Sequence, residues 1–171
     1  MEGFLNPVEV LKNLELEKYM VAADFGSGSG GWVIPLAKKL EDGRVFAIDI
    51  LLQPLSVLES RAKMEKLFNI QTIKTDIEAG SKLRQESCDL VLLTNLLFEA
   101  KDKKGILKEA GRVLKPTGKI LIADWKKDAS FGPKEGRVSS DEIEKMAKDL
   151  DFKVEKRFDA GLYHWGLILV K

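Results

Sequence analysis

Short apolar runs alternate with amphipathic stretches along most of this 171-residue sequence, and the alternation strongly constrains its fold. Each run has the length of one strand, and the segment after it repeats apolar residues at the spacing of a helix face. Repeated strand–helix units predict a mainly parallel sheet with right-handed connections. The five predicted strands of this kind are Met20–Phe25, Arg44–Asp49, Ile70–Lys74, Cys88–Thr94 and Lys119–Trp125.

The end of the sequence departs from this alternation. Two strand-like runs, Phe152–Phe158 and Tyr163–Val170, follow each other with only a short turn between them, which predicts an antiparallel hairpin. The predicted fold is therefore α/β, with a doubly wound, mostly parallel seven-stranded sheet that ends in this hairpin and carries helices on both faces. We expect residues 1–171 to form a single domain, with residues 1–19 as a short N-terminal helical segment.

The segments between the strands give the predicted helices and turns. A capping box of Ser139 and Glu142 marks the start of the last helix, and a Lys-Pro-Thr-Gly turn is expected before the fifth strand. The other predicted segments are helices over Gly30–Leu40, Pro54 to about Leu67 and about Asp102 to Leu114, and a short helix or loop over Ile77–Glu86.

The composition argues against several classes of protein. The formal net charge of +1 gives no broad attraction to nucleic acid. No apolar stretch approaches the roughly twenty residues that span a bilayer, and the first residues lack the features of a secretory signal. A single cysteine, Cys88, suits a reducing compartment, so we expect a cytoplasmic protein without membrane partners. No group of His, Asp and Glu has metal-ligand spacing, and no metal is predicted.

A glycine-rich stretch, DFGSGSGGW, follows the first predicted strand. Glycines at this place let the backbone turn tightly and approach a ligand in the crevice beyond the carboxyl ends of the strands. The same letters fit two fingerprints. One is the dinucleotide pattern G-x-G-x-x-G through Gly26, Gly28 and Gly31, and the other is the acidic-x-G-x-G-x-G pattern of S-adenosylmethionine sites. The glycines alone leave both ligands open.

Acidic residues at the strand ends help to distinguish these ligands. Asp49 ends the second strand, where it would accept hydrogen bonds from the ribose that both ligands contain. Asp24 precedes the glycines, and its carboxylate would repel a pyrophosphate but attract the ammonium and sulfonium of S-adenosylmethionine. Asp76 follows the third strand and is placed to accept from an adenine amino group. Together with the closing hairpin, these acids favour S-adenosylmethionine over a nicotinamide dinucleotide.

In this combination the sequence resembles the class I S-adenosylmethionine-dependent methyltransferases, in particular the small-molecule branch related to the ubiquinone/menaquinone-biosynthesis type. The resemblance runs from about Met20 to the end of the chain and implies the Rossmann-like methyltransferase fold. The segments that carry it are Asp24–Gly30, Asp49, Thr75–Ile77, Asn95–Phe98, Val113–Gly118 and the final hairpin.

The resemblance also assigns parts of a site for the cofactor S-adenosyl-L-methionine to individual residues. It implies a loop that holds the methionine moiety, an acid for the ribose, a wall for the adenine, and a residue beside the sulfonium and methyl group. The loop for the methionine moiety would consist of Asp24, Phe25, Gly26, Ser27, Gly28 and Gly30. Asp49 would be the acid for the ribose, and the wall for the adenine would consist of Ile50, Asp76 and Ile77. Asn95 would lie beside the sulfonium and methyl group.

On the acceptor side, Phe98 after the fourth strand and Trp125 at the end of the fifth are the candidate substrate-pocket residues. The segment Lys126–Arg137 is expected to form a mobile lid over this side. Only Phe4–Lys18 is available for a roof that many relatives build from helices, so we expect the pocket to be open or completed by a second copy in a homo-oligomer. His164, the only histidine, is interpreted as a strand residue rather than a catalytic base, and no catalytic residue is assigned.

The leading hypothesis is in-line transfer of a methyl group from S-adenosylmethionine to a small-molecule acceptor. The loop Asn95–Phe98 lacks the two prolines of nucleobase amino-group methylases, so that class is disfavoured. Methylation of cytosine at C5 needs a cysteine nucleophile near the pocket, and Cys88 begins its strand far from the site. Two alternatives stay open at this point. One is an NAD(P)-binding oxidoreductase, and the other is a non-catalytic protein that binds or senses S-adenosylmethionine. The sequence does not identify the acceptor.

Overall fold

A computed structural model describes residues 4–171. The strands are β1 (Val21–Phe25), β2 (Arg44–Asp49), β3 (Ile70–Lys74), β4 (Cys88–Thr94), β5 (Leu114–Trp125), β6 (Lys153–Gly161) and β7 (His164–Val170). The helices are α1 (Pro7–Leu11), α2 (Val33–Lys39), α3 (Leu52–Met64), α4 (Lys103–Val113) and α5 (Ser140–Lys148), with a 3₁₀ turn at Ile77–Ala79.

All seven strands belong to one sheet, in the order β3–β2–β1–β4–β5–β7–β6. The first five strands pair in parallel, whereas β7 pairs antiparallel with both β5 and β6. This confirms the predicted seven-stranded, mostly parallel sheet with a C-terminal antiparallel hairpin. The strand order reverses between β1 and β4, and a crevice at such a switch point is where open α/β sheets bind ligands.

Each face of the sheet carries its own apolar core. Helices α1, α2 and α3 pack on one face, and α4 and α5 pack on the other. Neighbouring β1 residues show why the strands are apolar on both sides, since Ala22 belongs to the first core and Ala23 to the second. Within residues 4–171, no helix is both long enough and apolar enough to cross a membrane.

Several boundaries differ from the predictions by a few residues, among them α3, which spans Leu52–Met64, and β6, which extends to Gly161. Two of the differences have a clear physical reason. β5 begins at Leu114 and not at Lys119, because the expected turn is absorbed as a register shift: Cys88 pairs with Leu114, and Leu90 pairs with Lys119. α2 begins at Val33 because Gly30 has a left-handed backbone that cannot continue a helix.

The predictions for the last helix and for the N-terminal helical segment have different outcomes. Ser139 and Glu142 form the expected capping box, with the backbone N–H of Ser139 donating to Glu142 Oε2 at 2.8 Å. In the N-terminal segment, only Pro7–Leu11 is helical, and it begins where Asn6 Oδ1 accepts from the backbone N–H of Val8 at 3.0 Å. Residues 1–3 of the predicted segment lie outside the described residues.

Candidate functional site

The glycine-rich loop occupies the crevice between the carboxyl ends of β1 and β4. Gly26, Gly28 and Gly30 all have left-handed backbones, with φ of 75°, 52° and 86°. Side chains other than glycine adopt this conformation only at a cost in free energy. The backbone N–H groups of Gly26 and Ser27 donate to the carbonyl oxygen of Ile48 at 2.8 and 2.9 Å. The loop is therefore fixed against the end of β2.

Asp49 connects this loop to the start of α3. Its Oδ2 accepts from the backbone N–H of Gly28 at 2.8 Å, and its Oδ1 accepts from the backbone N–H of Leu51 at 2.9 Å. Each carboxylate oxygen has a second lone pair, so the anchored group can still accept hydrogen bonds from a ligand. Ile50 beside it is 56% exposed and offers an apolar surface at the same edge.

A cavity of about 360 Å³ opens beside these groups. Its size is that of a small-molecule site, and it lies at the carboxyl ends of β1, β2, β3 and β4. The structure thus brings together residues that are far apart in the sequence. Among the predicted site residues, those that line this cavity are Gly26, Asp49, Ile50, Asp76 and Ile77.

The wall formed by Asp76 and Ile77 is held in place by hydrogen bonds that the sequence did not reveal. Asp76 Oδ1 accepts from the backbone N–H of Glu78 at 2.9 Å and caps the 3₁₀ turn. The Glu78 carboxylate accepts from the backbone N–H groups of Lys101 and Asp102 at 2.9 and 3.2 Å. Glu78 therefore ties the wall after β3 to the wall after β4 and fixes the width of the cavity.

Asp24 at the end of β1 is fully buried, and no described residue hydrogen-bonds either of its carboxylate oxygens. Burial, and secondarily the nearby charge of Asp49, raises the pKa of this carboxyl to about 8. Without a ligand the group is therefore protonated at neutral pH. A cation placed against it would favour the ionised form, since an opposite charge offsets the cost of burying the carboxylate.

Two further buried polar atoms lie near the switch point without a partner among the described residues. These are Ser27 Oγ in the glycine loop and Asn95 Oδ1 just after β4. Asn95 also has a left-handed backbone, with φ of 48°, while its N–H donates to the carbonyl oxygen of Ala123 at 2.9 Å. Strained backbone and unused polar groups cluster where a protein binds a ligand.

The two predicted substrate-pocket residues lie apart from this cavity. Phe98 lines a separate open cleft that it forms with Pro133 and Glu135, among others. Trp125 is buried beneath the segment Lys126–Arg137, which we call the lid segment. The two residues share one anchor, because Asp124 accepts from the backbone N–H groups of Phe98 and Trp125 at 3.2 and 2.7 Å.

Sequence reasoning missed Glu78, Glu99 and Asp124. Glu99 lines both the cavity and the open cleft, and burial together with Asp49 raises its pKa. Burial also raises the pKa of Asp124, to about 6, against the opposing effect of its backbone hydrogen bonds. The position of Asp124 at the carboxyl end of a predicted strand could have identified it as a candidate site residue from the sequence. The hydrogen bonds of Glu78 could not have been predicted in this way, because they join segments that meet only in the folded chain.

A family model described as a methyltransferase domain matches residues 23–122. The match covers more than half of the chain, and the chain therefore belongs to this family. The resemblance found in the sequence is thereby confirmed, and the oxidoreductase alternative is not favoured.

Individual relatives agree with this assignment. The chain is 26% identical over 125 residues to the demethylmenaquinone methyltransferase of Geobacillus sp. (strain WCH70), covering 72% of this chain and 53% of that protein. It is 30% identical over 114 residues to the malonyl-[acyl-carrier protein] O-methyltransferase of Marinomonas sp. (strain MWYL1), covering 67% and 41%. The crystal structure of a SAM dependent methyltransferase from Aquifex aeolicus matches with a TM-score of 0.88 at 27% identity, over 96% of this chain and 89% of that chain. The chain spans about half the length of the curated relatives it matches.

Proposed function

We propose that the protein transfers a methyl group from S-adenosylmethionine to a small organic acceptor. The observation that carries the proposal is Asp24, a fully buried carboxyl that has no hydrogen-bond partner among the described residues and lies at the end of β1, just before the glycine loop. An ammonium or sulfonium would stabilise the ionised form of this group, whereas a pyrophosphate would be repelled by it. The family assignment and the neighbour from Aquifex aeolicus support the same donor.

The residues that line the cavity, together with buried Asp24 and with Asn95 at the neighbouring strand ends, suit this donor part by part. Asp24 would bind the cationic end, and the two anchored oxygens of Asp49 would accept from the ribose hydroxyls. Ile50 and Ile77 supply the apolar surface for an adenine ring, and the free oxygen of Asp76 can accept from its amino group. Asn95, with its unbonded amide oxygen, would border the methyl group.

S-adenosylmethionine supplies a methyl group that is already activated on a sulfonium. The chain then has mainly to align the acceptor for in-line attack and to exclude water, and well-oriented reactants gain most of their rate from such positioning. Buried Leu96 and Ala100 help to close the cavity wall after β4. A base is needed only for an acceptor that is protonated at the working pH.

A calorimetric titration with S-adenosylmethionine, S-adenosylhomocysteine and NADH tests the proposal. We expect both adenosyl ligands to bind and NADH to give no saturable heat. Binding of NADH without a response to either adenosyl ligand would refute the proposed donor. Donor binding without formation of S-adenosylhomocysteine across a panel of small acceptors would instead identify a non-catalytic binding protein.

A glycine pair provides a matched test of the loop. A Cβ at Gly26 would lie 2.9 Å from Leu96 Cδ1 on a left-handed backbone, while a Cβ at Gly31 meets no described heavy atom within 4 Å. The strain of a left-handed alanine, about 1–2 kcal/mol, is present with and without ligand and lowers the stability of the protein. We expect Gly26→Ala to weaken binding of S-adenosylhomocysteine as well, because the new Cβ displaces Leu96, which lines the cavity. Gly31→Ala should leave the dissociation constant unchanged. Equal effects in the two variants would show that the loop does not approach the ligand.

A further inference from the structure

His164, the first residue of β7, is only 1% exposed and is the single histidine of the chain. Neither of its ring nitrogens has a hydrogen-bond partner among residues 4–171. Burial, with a smaller contribution from the charge of Lys126, lowers the pKa of the imidazole to about 4. The ring is therefore neutral at physiological pH, with one nitrogen that can donate and one that can accept.

An aromatic cluster lies beside this unused polar group, and Trp125 is the member that contacts it. The Trp125 ring lies against the imidazole, with 4.1 Å between the ring centroids, because His164 and Trp125 are paired residues of β7 and β5. Tyr163 and Phe131 extend the cluster, with 5.8 Å between their centroids. Buried polar groups in proteins are nearly always hydrogen-bonded, so an imidazole with two free nitrogens in an aromatic setting is suited to a ligand.

The lid segment covers this cluster. Phe131 is 54% exposed although it lies beside Trp125, with 6.4 Å between the ring centroids. Gly132 rests on the Trp125 ring so closely that a Cβ would clash with it. The Arg137 guanidinium braces the segment internally by donating to the carbonyl oxygens of Ala129 and Phe131 at 2.6 and 2.7 Å. These bonds hold the segment together as one unit over the cluster.

The position of His164 relates it to the donor cavity. The cavity lies on the β3–β2–β1–β4 side of the sheet, and β5 and β7 follow on the other side of β4. Adjacent strands are about 4.8 Å apart, so β7 lies roughly 10 Å beyond the end of β4, where Asn95 is found. A molecule bound against His164 would therefore approach Asn95 from the β5 and β7 end of the strand order, whereas the adenine wall lies at the β2 and β3 end.

We propose that the lid segment covers an acceptor subsite in which a flat, apolar molecule takes the place of Gly132 on the Trp125 ring and one of its hydroxyl or carbonyl oxygens hydrogen-bonds to His164. The inference rests on the proposed function for the identity of this molecule as the methyl acceptor. His164 acts here as a binding residue that orients the acceptor. A neutral ring among aromatic side chains favours an uncharged ligand, because the nearby Lys126 is already paired with Asp159 at 2.8 Å and a charged ligand would lose its hydration without gaining an unpaired counter-charge.

The single histidine makes the test direct. We would titrate 2-naphthol, a flat molecule with one hydroxyl, into the full protein carrying ¹⁵N-labelled histidine and saturated with S-adenosylhomocysteine. The expected result is saturable binding that shifts the ring ¹⁵N resonances of His164. Saturable binding without a shift of these resonances, or no binding up to the solubility limit, would overturn the subsite.

Variants add a second readout. His164→Leu is expected to weaken 2-naphthol binding about tenfold, the effect of one lost hydrogen bond, while His164→Gln restores part of the affinity. Equal affinities in the wild type and both variants would contradict the inference, and the resonance shift in the wild type decides the matter if a variant does not fold.

The outcomes also separate this inference from the proposed function. A His164 response to 2-naphthol in a protein that fails to bind S-adenosylmethionine or S-adenosylhomocysteine would leave the subsite in place and overturn the donor assignment. For that case the titration is repeated without S-adenosylhomocysteine. Normal binding of the adenosyl ligands without a response to 2-naphthol would overturn only the subsite.

Discussion

Replacing Asp24 with Asn is expected to lower the affinity for S-adenosylmethionine about a hundredfold and, at the same time, to stabilise the ligand-free protein. The first effect follows from the loss of a buried charge pair, which costs about 2–5 kcal/mol in binding. The second follows because the amide matches the neutral carboxyl in shape but cannot ionise. Isothermal calorimetry measures the first effect, and thermal unfolding without ligand measures the second.

The stability effect has a defined dependence on pH. The Asp24 carboxyl holds its proton to a pKa of about 8 in the folded protein, against an ordinary value of 3.8. Unfolding therefore releases a proton between these values, and the contribution of Asp24 to the free energy of unfolding falls as pH rises, by at most about 1.4 kcal/mol per pH unit. The Asp24→Asn variant lacks this contribution, so its advantage should grow from pH 5 to pH 7.5.

Ligand binding by the wild type should show the opposite trend. The cationic ligand requires the ionised carboxylate, so the affinity for S-adenosylmethionine should rise up to about tenfold per pH unit between pH 5.5 and pH 7.5. In the Asp24→Asn variant the affinity should change little over the same range. A wild-type affinity that is independent of pH would show that Asp24 does not exchange its proton for the ligand charge.

Replacing Asp49 with Ala is expected to weaken binding of S-adenosylmethionine by about 1–3 kcal/mol, because the ribose hydroxyls lose their acceptor. The substitution also frees the backbone N–H groups of Gly28 and Leu51, which Asp49 holds at 2.8 and 2.9 Å. In addition, it removes the charge that contributes to the raised pKa of Asp24. The pH dependence of binding should therefore move to lower pH.

Adenosine serves as a crossed control for the two aspartates. It contains the ribose and the adenine but lacks the aminoacyl end. Asp49→Ala should weaken its binding, while Asp24→Asn should leave it unchanged. If both substitutions weakened adenosine binding equally, the assignment of separate ligand parts to Asp24 and Asp49 would be wrong.

The sequence predicted the sheet well because its strands are apolar on both faces and end in recognisable turns. β2, β3 and β4 have the predicted bounds, whereas β5 begins earlier than expected. Its predicted turn was read from Pro116 and Gly118, and the structure absorbs both in a strand irregularity where Lys115 Nζ lies 2.9 Å from Asp89 Oδ1. A long-range ion pair of this kind leaves no local signal in the sequence.

The donor side of the site was easier to predict than the acceptor side. Asp24 and Asp49 lie at the carboxyl ends of β1 and β2, and Asp76 lies two residues after β3. Parallel strands place such residues at one edge of the sheet. The bonds of Glu78 and the contact of Trp125 with His164 join segments that are far apart in the chain. Their partners depend on how loops fold over the sheet, which local patterns do not specify.

The position of β7 between β5 and β6 sets an order for assembly during synthesis. β6 pairs only with β7, so it has no place in the sheet until the later strand has left the ribosome. β1 to β5, which carry the donor residues, are synthesised before β6 and β7. Domains generally fold as their segments emerge, and unpaired edges are the places where partly made chains aggregate. The open edge of β5 is therefore the vulnerable surface of the nascent chain, and the strand that carries His164 is the one that closes it.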